Sequence, residues 1–182
     1  MELDIDLLKA RFPEQWRAKA MELIWAAWYR KLASYIRMSY GAHGQVEDLM
    51  QEIMMKVFNN LERYDRRWAL STWLYTITRN TCVNHFAASA RLPPVLGLAT
   101  EPAAVQSVED EVIGAEFARE LAACLDGLDA EDRGIAFLAL HERASYRHIA
   151  SVYGLPLHGV KNRVHRIRQR LRQQLEDYRE AD

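Results

Sequence analysis

The sequence predicts an all-α fold of two small helical domains joined by a flexible linker, and three observations carry that expectation. Apolar residues recur at threes and fours instead of alternating, as one-sided helices require. Eight glycines and five prolines in 182 residues are too few to close the many turns of a sheet protein. The punctuation is also concentrated: Pro93, Pro94, Gly97 and Pro102 fall in one stretch of small residues, which separates an N-terminal helical block from a C-terminal one. The expected boundaries are 1–90, a linker at 91–109, and 110–182.

Each element follows from local signals. The first dozen residues carry no assignable pattern. From Glu14 to Ser39 apolar residues keep helical spacing, giving one or two amphipathic helices that stop at the Gly41 and Gly44 turn. A second helix runs from Val46 to Leu61, and Asp65, Arg66 and Arg67 mark a polar turn. Ser71 is the expected N-cap of a third helix that passes through Trp73, Leu74, Ile77 and Val83 to about Phe86. The linker composition occupies Ala87 to Ser107, and helices resume near Val108. Close to the C-terminus, Ser145 caps a short helix carrying Tyr146, Ile149, Ala150 and Val152. Gly154 supplies a left-handed turn and Pro156 opens the next helix. That is a helix-turn-helix.

Composition narrows the function classes. With 49% apolar and 27% charged residues the chain can build cores, which excludes disorder as the whole description. The apolar stretches Leu23 to Trp28 and Ile135 to Leu140 are far shorter than the roughly 18 residues of a bilayer span, and no signal-like leader opens the chain. A cytoplasmic protein is expected. Cys82 and Cys124 have neither a disulfide framework nor metal-ligand spacing around them, so both read as small buried side chains and no metal or cofactor is expected. No Gly-rich phosphate loop, paired catalytic carboxylates or activated nucleophile can be assembled, which argues against an enzyme.

The net charge of −1 conceals a sorting of charges along the chain. Residues 101–142 hold eleven acids against Arg119 and Arg133, whereas residues 143–175 hold eight bases and no acid. Such a local field favours a polyanion, although a solvated helix face would also carry charges. Geometry favours the polyanion. In the last helix Val160, Val164, Ile167, Leu171 and Leu175 fall within about 80° of arc, one apolar stripe that has to face a core. The opposite side then presents His158, Asn162, His165 and Gln169, flanked by Lys161 and Arg166. Those donor-rich first turns are the part of a recognition helix that enters a major groove. His158 and His165 read equally well as ordinary surface residues. Arg168, Arg170 and Arg172, further along, suit phosphates.

In the N-terminal block, Leu49, Met50, Ile53, Val57 and Leu61 make the core face of the second helix. Asp48, Gln51, Glu52, Asn59 and, among them, Met55 make the other. A methionine amid acids and amides suggests a protein-contact surface, with an incidental exposed apolar residue as the alternative. The following turn and helix interleave Tyr64, Trp68, Trp73 and Tyr75 with Arg63, Arg66, Arg67 and Arg79. Rings beside arginines can hold unpaired bases. Trp73 with Ile77 also reads as plain core, and Asn80 and Asn84 serve base edges or helix-end hydrogen bonds equally well.

Taken together, Glu47-Asp-Leu-Met-Gln-Glu-Ile-Met-Met-Lys-Val-Phe58, then Trp73-Leu-Tyr-Thr-Ile-Thr-Arg-Asn80, then Ser145-Tyr-Arg-His-Ile-Ala150 with Val160-Lys-Asn-Arg-Val-His-Arg-Ile-Arg168 resemble the extracytoplasmic-function sigma factors of bacterial RNA polymerase, in the sigma-70 superfamily. The resemblance spans sigma region 2 at about residues 15 to 90 and region 4 at about 110 to 178. Two different motifs in family order are more specific than either alone.

The resemblance implies a non-catalytic initiation subunit that directs core polymerase to promoters and assists their opening. Asp48, Gln51, Glu52, Met55 and Asn59 would face the clamp coiled coil of the β′ subunit, and the β flap would be a second polymerase contact. Tyr64, Arg67, Ile77, Arg79, Asn80 and Asn84 would hold the non-template strand of the minus-ten element with a base flipped out. His158, Lys161, Asn162, Arg163, His165 and Arg166 would meet the minus-thirty-five element as duplex, with Arg168, Arg170 and Arg172 on phosphates. An anti-sigma factor would be the regulatory partner. Two departures stand out: Asn84 to Arg91 holds one arginine where the family carries a basic cluster, and His158-Gly159 replaces the family's Gly-Thr pair. The alternatives are a stand-alone helix-turn-helix regulator and a sigma-like decoy for an anti-sigma factor.

Overall fold

A computed structural model describes residues 4–41, 43–89 and 127–181. The described residues form seven α-helices and no strand, in two compact units: Met1–Arg37 with Ala42–Val95, and Met38–Gly41 with Leu96–Asp182. The expected linker at 91–109, the helices expected from Val108 up to residue 126, and Cys124 lie outside the described residues.

The first unit opens with α1 (Ile5–Arg11), where the sequence offered no pattern. Its cap is visible in retrospect, since Asp4 accepts the Leu7 N–H at 2.9 Å. Helix α2 (Trp16–Tyr40) is one continuous helix of 25 residues, ended by Gly41 in the left-handed region at φ 64. Helix α3 (Val46–Asn60) buries Leu49, Met50, Ile53 and Val57, and its first turn carries Glu47 and Asp48, the sign that a helix N-terminus favours. Helix α4 (Leu70–Ser89) packs on α3. It buries Leu70, Leu74, Tyr75 and Cys82 together with Thr72, Thr78 and Thr81. Thr78 donates back to the Leu74 carbonyl at 2.9 Å, and the Thr81 hydroxyl accepts from Lys56 at 3.2 Å across the α3 to α4 seam.

Two boundaries of α4 differ from expectation. Ser71 is inside the first turn, not at the cap: the Trp73 N–H reaches the Ala69 carbonyl at 3.3 Å, and burial of Leu70 draws the helix start two residues further back. At the other end the helix continues past Phe86 through Ala87 to Ser89, because alanine carries the highest helix propensity.

The described part of the second unit holds α5 (Ala130–Ala136), capped by Asp129, which accepts the Asp132 N–H at 2.7 Å. This helix widens into a π turn over Phe137–His141. Helix α6 (Tyr146–Tyr153) is capped as expected, with the His148 N–H on the Ser145 hydroxyl at 3.2 Å and Gly154 at φ 65 closing it. Helix α7 (Leu157–Ala181) starts at Pro156, whose carbonyl accepts the Val160 N–H at 3.2 Å. Val160, Val164, Ile167 and Leu171 are all buried, against Ile135, Leu138, Ile149 and Val152 in the same core. The side chain of Leu175 lies outside the described ones.

Candidate functional site

Helix α3 separates its two faces as the sequence pattern implies. Asp48, Gln51, Glu52, Met55 and Asn59 are all exposed, Met55 by 66%. Glu52 is tied along the helix to Lys56 at 2.7 Å. Gln51, Met55 and Asn59 line an open depression of about 610 Å³, completed by Met54, Phe58 and Trp25. Trp25 and Phe58 escaped the sequence reading, and both are substantially exposed. Trp25 comes from α2 and stacks on Tyr29 with ring centroids 4.6 Å apart. The depression therefore has an apolar floor and an amide rim of Gln51 and Asn59, the composition of a docking surface for another protein.

The turn between α3 and α4 is a compact, self-bonded structure. Asp65 accepts the Arg67 N–H at 2.9 Å and its Nε at 2.8 Å, so the exposed Arg67 guanidinium is held beside its own turn. Those bonds hold the Asp65 carboxyl below its ordinary pKa. The Tyr64 hydroxyl donates to the Trp68 carbonyl at 2.8 Å, closing the turn, and its ring lies 5.1 Å from that of Trp73. Trp73, Ile77, Asn80 and Asn84 share one stripe of α4 by helical spacing, with Asn80 and Asn84 exposed. Arg79 sits off that stripe but reaches the Asn80 side-chain oxygen at 3.3 Å. Of the rings counted in the sequence, Tyr75 is core, 1% exposed and edge-on to Tyr35. Trp68, at 55% exposed, is the ring the turn offers outward.

On α7 the exposed side carries His158, Lys161, Asn162, His165 and Arg166 in the first three turns, then Arg168 and Arg172. Arg163 stands apart from them. It occupies the flank of the apolar stripe and bonds to Glu131 of α5, with Asp132 at 3.6 Å. Arg170, seven residues on and on the same flank, reaches over Gly127 so closely that a Cβ there would collide with its guanidinium. Arg163 thus ties α7 to the acidic start of α5, while Arg170 lies against the chain just before it. Burial raises the Asp132 carboxyl above its usual range, reinforced by Asp129 and opposed by Arg163. Cys82 is buried as expected and its thiol is pushed up to about 12, so it has no reactive thiolate.

Among the described residues no group of His, Cys, Asp and Glu is arranged to hold a metal ion, and no helix is long and apolar enough to cross a membrane.

Comparison with known proteins adds three findings. Residues 24–92 match the family model of sigma-70 region 2. The chain is 25% identical over 173 residues to the ECF RNA polymerase sigma-E factor of Haemophilus influenzae, covering 90% of this chain and 91% of that protein. It is 26% identical over 161 residues to the protein of the same description in Escherichia coli K12, covering 83% and 84%. Among solved structures, the fold is similar to the sigma factor RpoE crystallised with the anti-sigma factor NepR from Bartonella quintana. The TM-score is 0.71 and the identity 22%, over 87% of this chain and 98% of that one. CnrH in complex with the cytosolic domain of CnrY matches with a TM-score of 0.67 and 22% identity, over 96% and 99%.

Proposed function

We propose that this chain, an extracytoplasmic-function sigma factor of the sigma-70 superfamily, divides promoter recognition between the surfaces of its two units. It is an alternative sigma factor: its partners are core RNA polymerase, promoter DNA and an anti-sigma factor, and it directs the polymerase to particular promoters and assists their opening. It acts in the cytoplasm and carries out no reaction of its own.

The α3 face of Asp48, Gln51, Glu52, Met55 and Asn59, with Trp25 and Phe58 as its apolar floor, docks on the β′ clamp coiled coil. The 64–68 turn and the α4 stripe take the unpaired minus-ten strand. Trp68 is the stacking ring, while Asn80 and Asn84 read base edges, Tyr64 and Ile77 wall the site, and Arg67 and Arg79 hold phosphates. His158, Lys161, Asn162, His165 and Arg166 read the minus-thirty-five duplex, with Arg168 and Arg172 on its phosphates. Arg163 and Arg170 orient that helix. Residues 1–90 and 110–182 are the two working domains.

The observation that carries this assignment is the phase of α7. Its apolar stripe is buried while His158, Lys161, Asn162, His165 and Arg166 are exposed, the division a groove-reading helix needs. Run-off transcription with core polymerase, on promoters mapped after overexpression of the protein, tests it. Transcripts are expected only when the protein is added, and Met55→Glu is expected to abolish them together with binding to core. Binding to duplex without any binding to core would leave a stand-alone regulator instead.

A further inference from the structure

The N-terminal helix bears directly on the strand-capturing turn. Ile5 is the buried residue of α1, and Asp4 and Asp6 flank it. Both carboxylates converge on one guanidinium: Asp4 bonds to Arg66, and the other Arg66 terminal nitrogen lies 2.9 Å from Asp6. Arg66 belongs to the turn that presents Trp68 and Arg67. Two negative charges thus stand beside a surface meant for phosphates, on a helix of seven residues that is too short to be stable by itself. Leu7 on the same helix is 59% exposed, so little apolar burial secures it.

We infer that Arg66 is a phosphate contact for the unpaired strand, and that Asp4 and Asp6 occupy it until the strand displaces them. This rests on the assignment of the turn to the minus-ten strand. A phosphate takes a guanidinium in the same forked geometry as a carboxylate, so the two compete for the same donors. The exposed ion pairs are weak enough to exchange. The N-terminal segment therefore lowers affinity for strand captured without specific base contacts, and the cost is met when bases are seated in the site.

The test is binding of a fluorescent single strand, carrying the non-template sequence of a mapped promoter, to holoenzyme assembled with core polymerase. Asp4→Asn with Asp6→Asn removes the charges while asparagine keeps the cap of α1. The double variant is expected to bind the strand about two- to fivefold more tightly, with a steeper salt dependence. In an Arg66→Ala background the same pair of substitutions is expected to change nothing. No tightening, or tightening that persists without Arg66, would overturn the inference. Asn80→Ala separates the two failures. If it weakens strand binding while the aspartate variant is silent, the turn keeps its function and only the role of α1 is lost. If Asn80→Ala and Arg67→Ala are both silent, the strand site is elsewhere and both conclusions fall.

Discussion

The two units present cations in opposite ways. On α7 the exposed bases stand on a helix whose core side is fixed by Val160, Val164, Ile167 and Leu171, and among the described residues the acids of α5 bond to its flank through Arg163. In the 64–68 turn every arginine is already tied to a carboxylate, Arg67 to Asp65 and Arg66 to Asp4 and Asp6, and the outward feature is the Trp68 ring. A surface of exposed bases acts at long range on duplex DNA and is salt-sensitive. A surface of rings and pre-paired arginines acts at short range, on bases that have already separated. On the proposed assignment, the difference separates finding a promoter from holding it open.

The largest expected effect comes from breaking one unit alone. Val164 is 1% exposed, and Val164→Asp would bury an unpaired carboxylate, costing at least about 3 kcal/mol. Duplex binding should vanish. Core polymerase binding should persist, and Cys82 should stay protected from alkylation in peptide mass analysis, because its seam lies between α3 and α4. Alkylation of Cys82 in that variant would show that the units do not stand independently.

Next in size is the contrast within α7. Arg166→Ala is expected to weaken duplex binding by about 1–3 kcal/mol and relax preference at one base pair. Arg172→Ala should weaken all sequences alike and flatten the salt slope by about 0.9. Competition assays across salt separate them, and equal effects from both would remove the division between readers and phosphate contacts. In the other unit, Trp68→Ala is expected to cost about 1–2 kcal/mol of strand binding with an almost unchanged salt slope, the signature of stacking. A slope that flattened as much as for Arg172→Ala would make the two surfaces electrostatically alike.

What could be read from the sequence was local. Ser145, Gly154 and the Val160 to Leu171 periodicity lie within one stretch of chain, so cap, turn and stripe announce the helix-turn-helix unaided. The α3 faces were legible for the same reason. Arg163 was not: it matches its exposed neighbours in type, and only the approach of Glu131, 32 residues away, reveals that it faces inward. Arg170 over Gly127 is another such case. Trp25 looked like any apolar residue of α2 until the fold brought it beside Met55 and Phe58. Tyr75 and Trp68 were indistinguishable as ring residues, and burial alone decided that one is core and the other surface. The N-terminal segment had one usable signal, an aspartate before an apolar residue, but its partner Arg66 lies 62 positions along.

The smallest effect concerns Gly159, in the first turn of α7. Its backbone is not in the left-handed region, which among the described glycines holds only Gly41 and Gly154, so alanine is compatible with the chain there. An added Cβ would meet Pro156 Cγ at 3.4 Å, an ordinary van der Waals contact. Gly159→Ala should therefore stabilise the helix by about 0.5–1 kcal/mol and raise the melting temperature by about 1–4 °C. The Cβ would meet the turn at Pro156 and adds neither charge nor donor to the face shared with Asn162 and Arg166, so duplex affinity should stay within about twofold. Higher stability with markedly weaker duplex binding would mean instead that a DNA backbone passes against this glycine. The rigid α7 surface would then share the close approach that the comparison reserves for the ring-bearing turn.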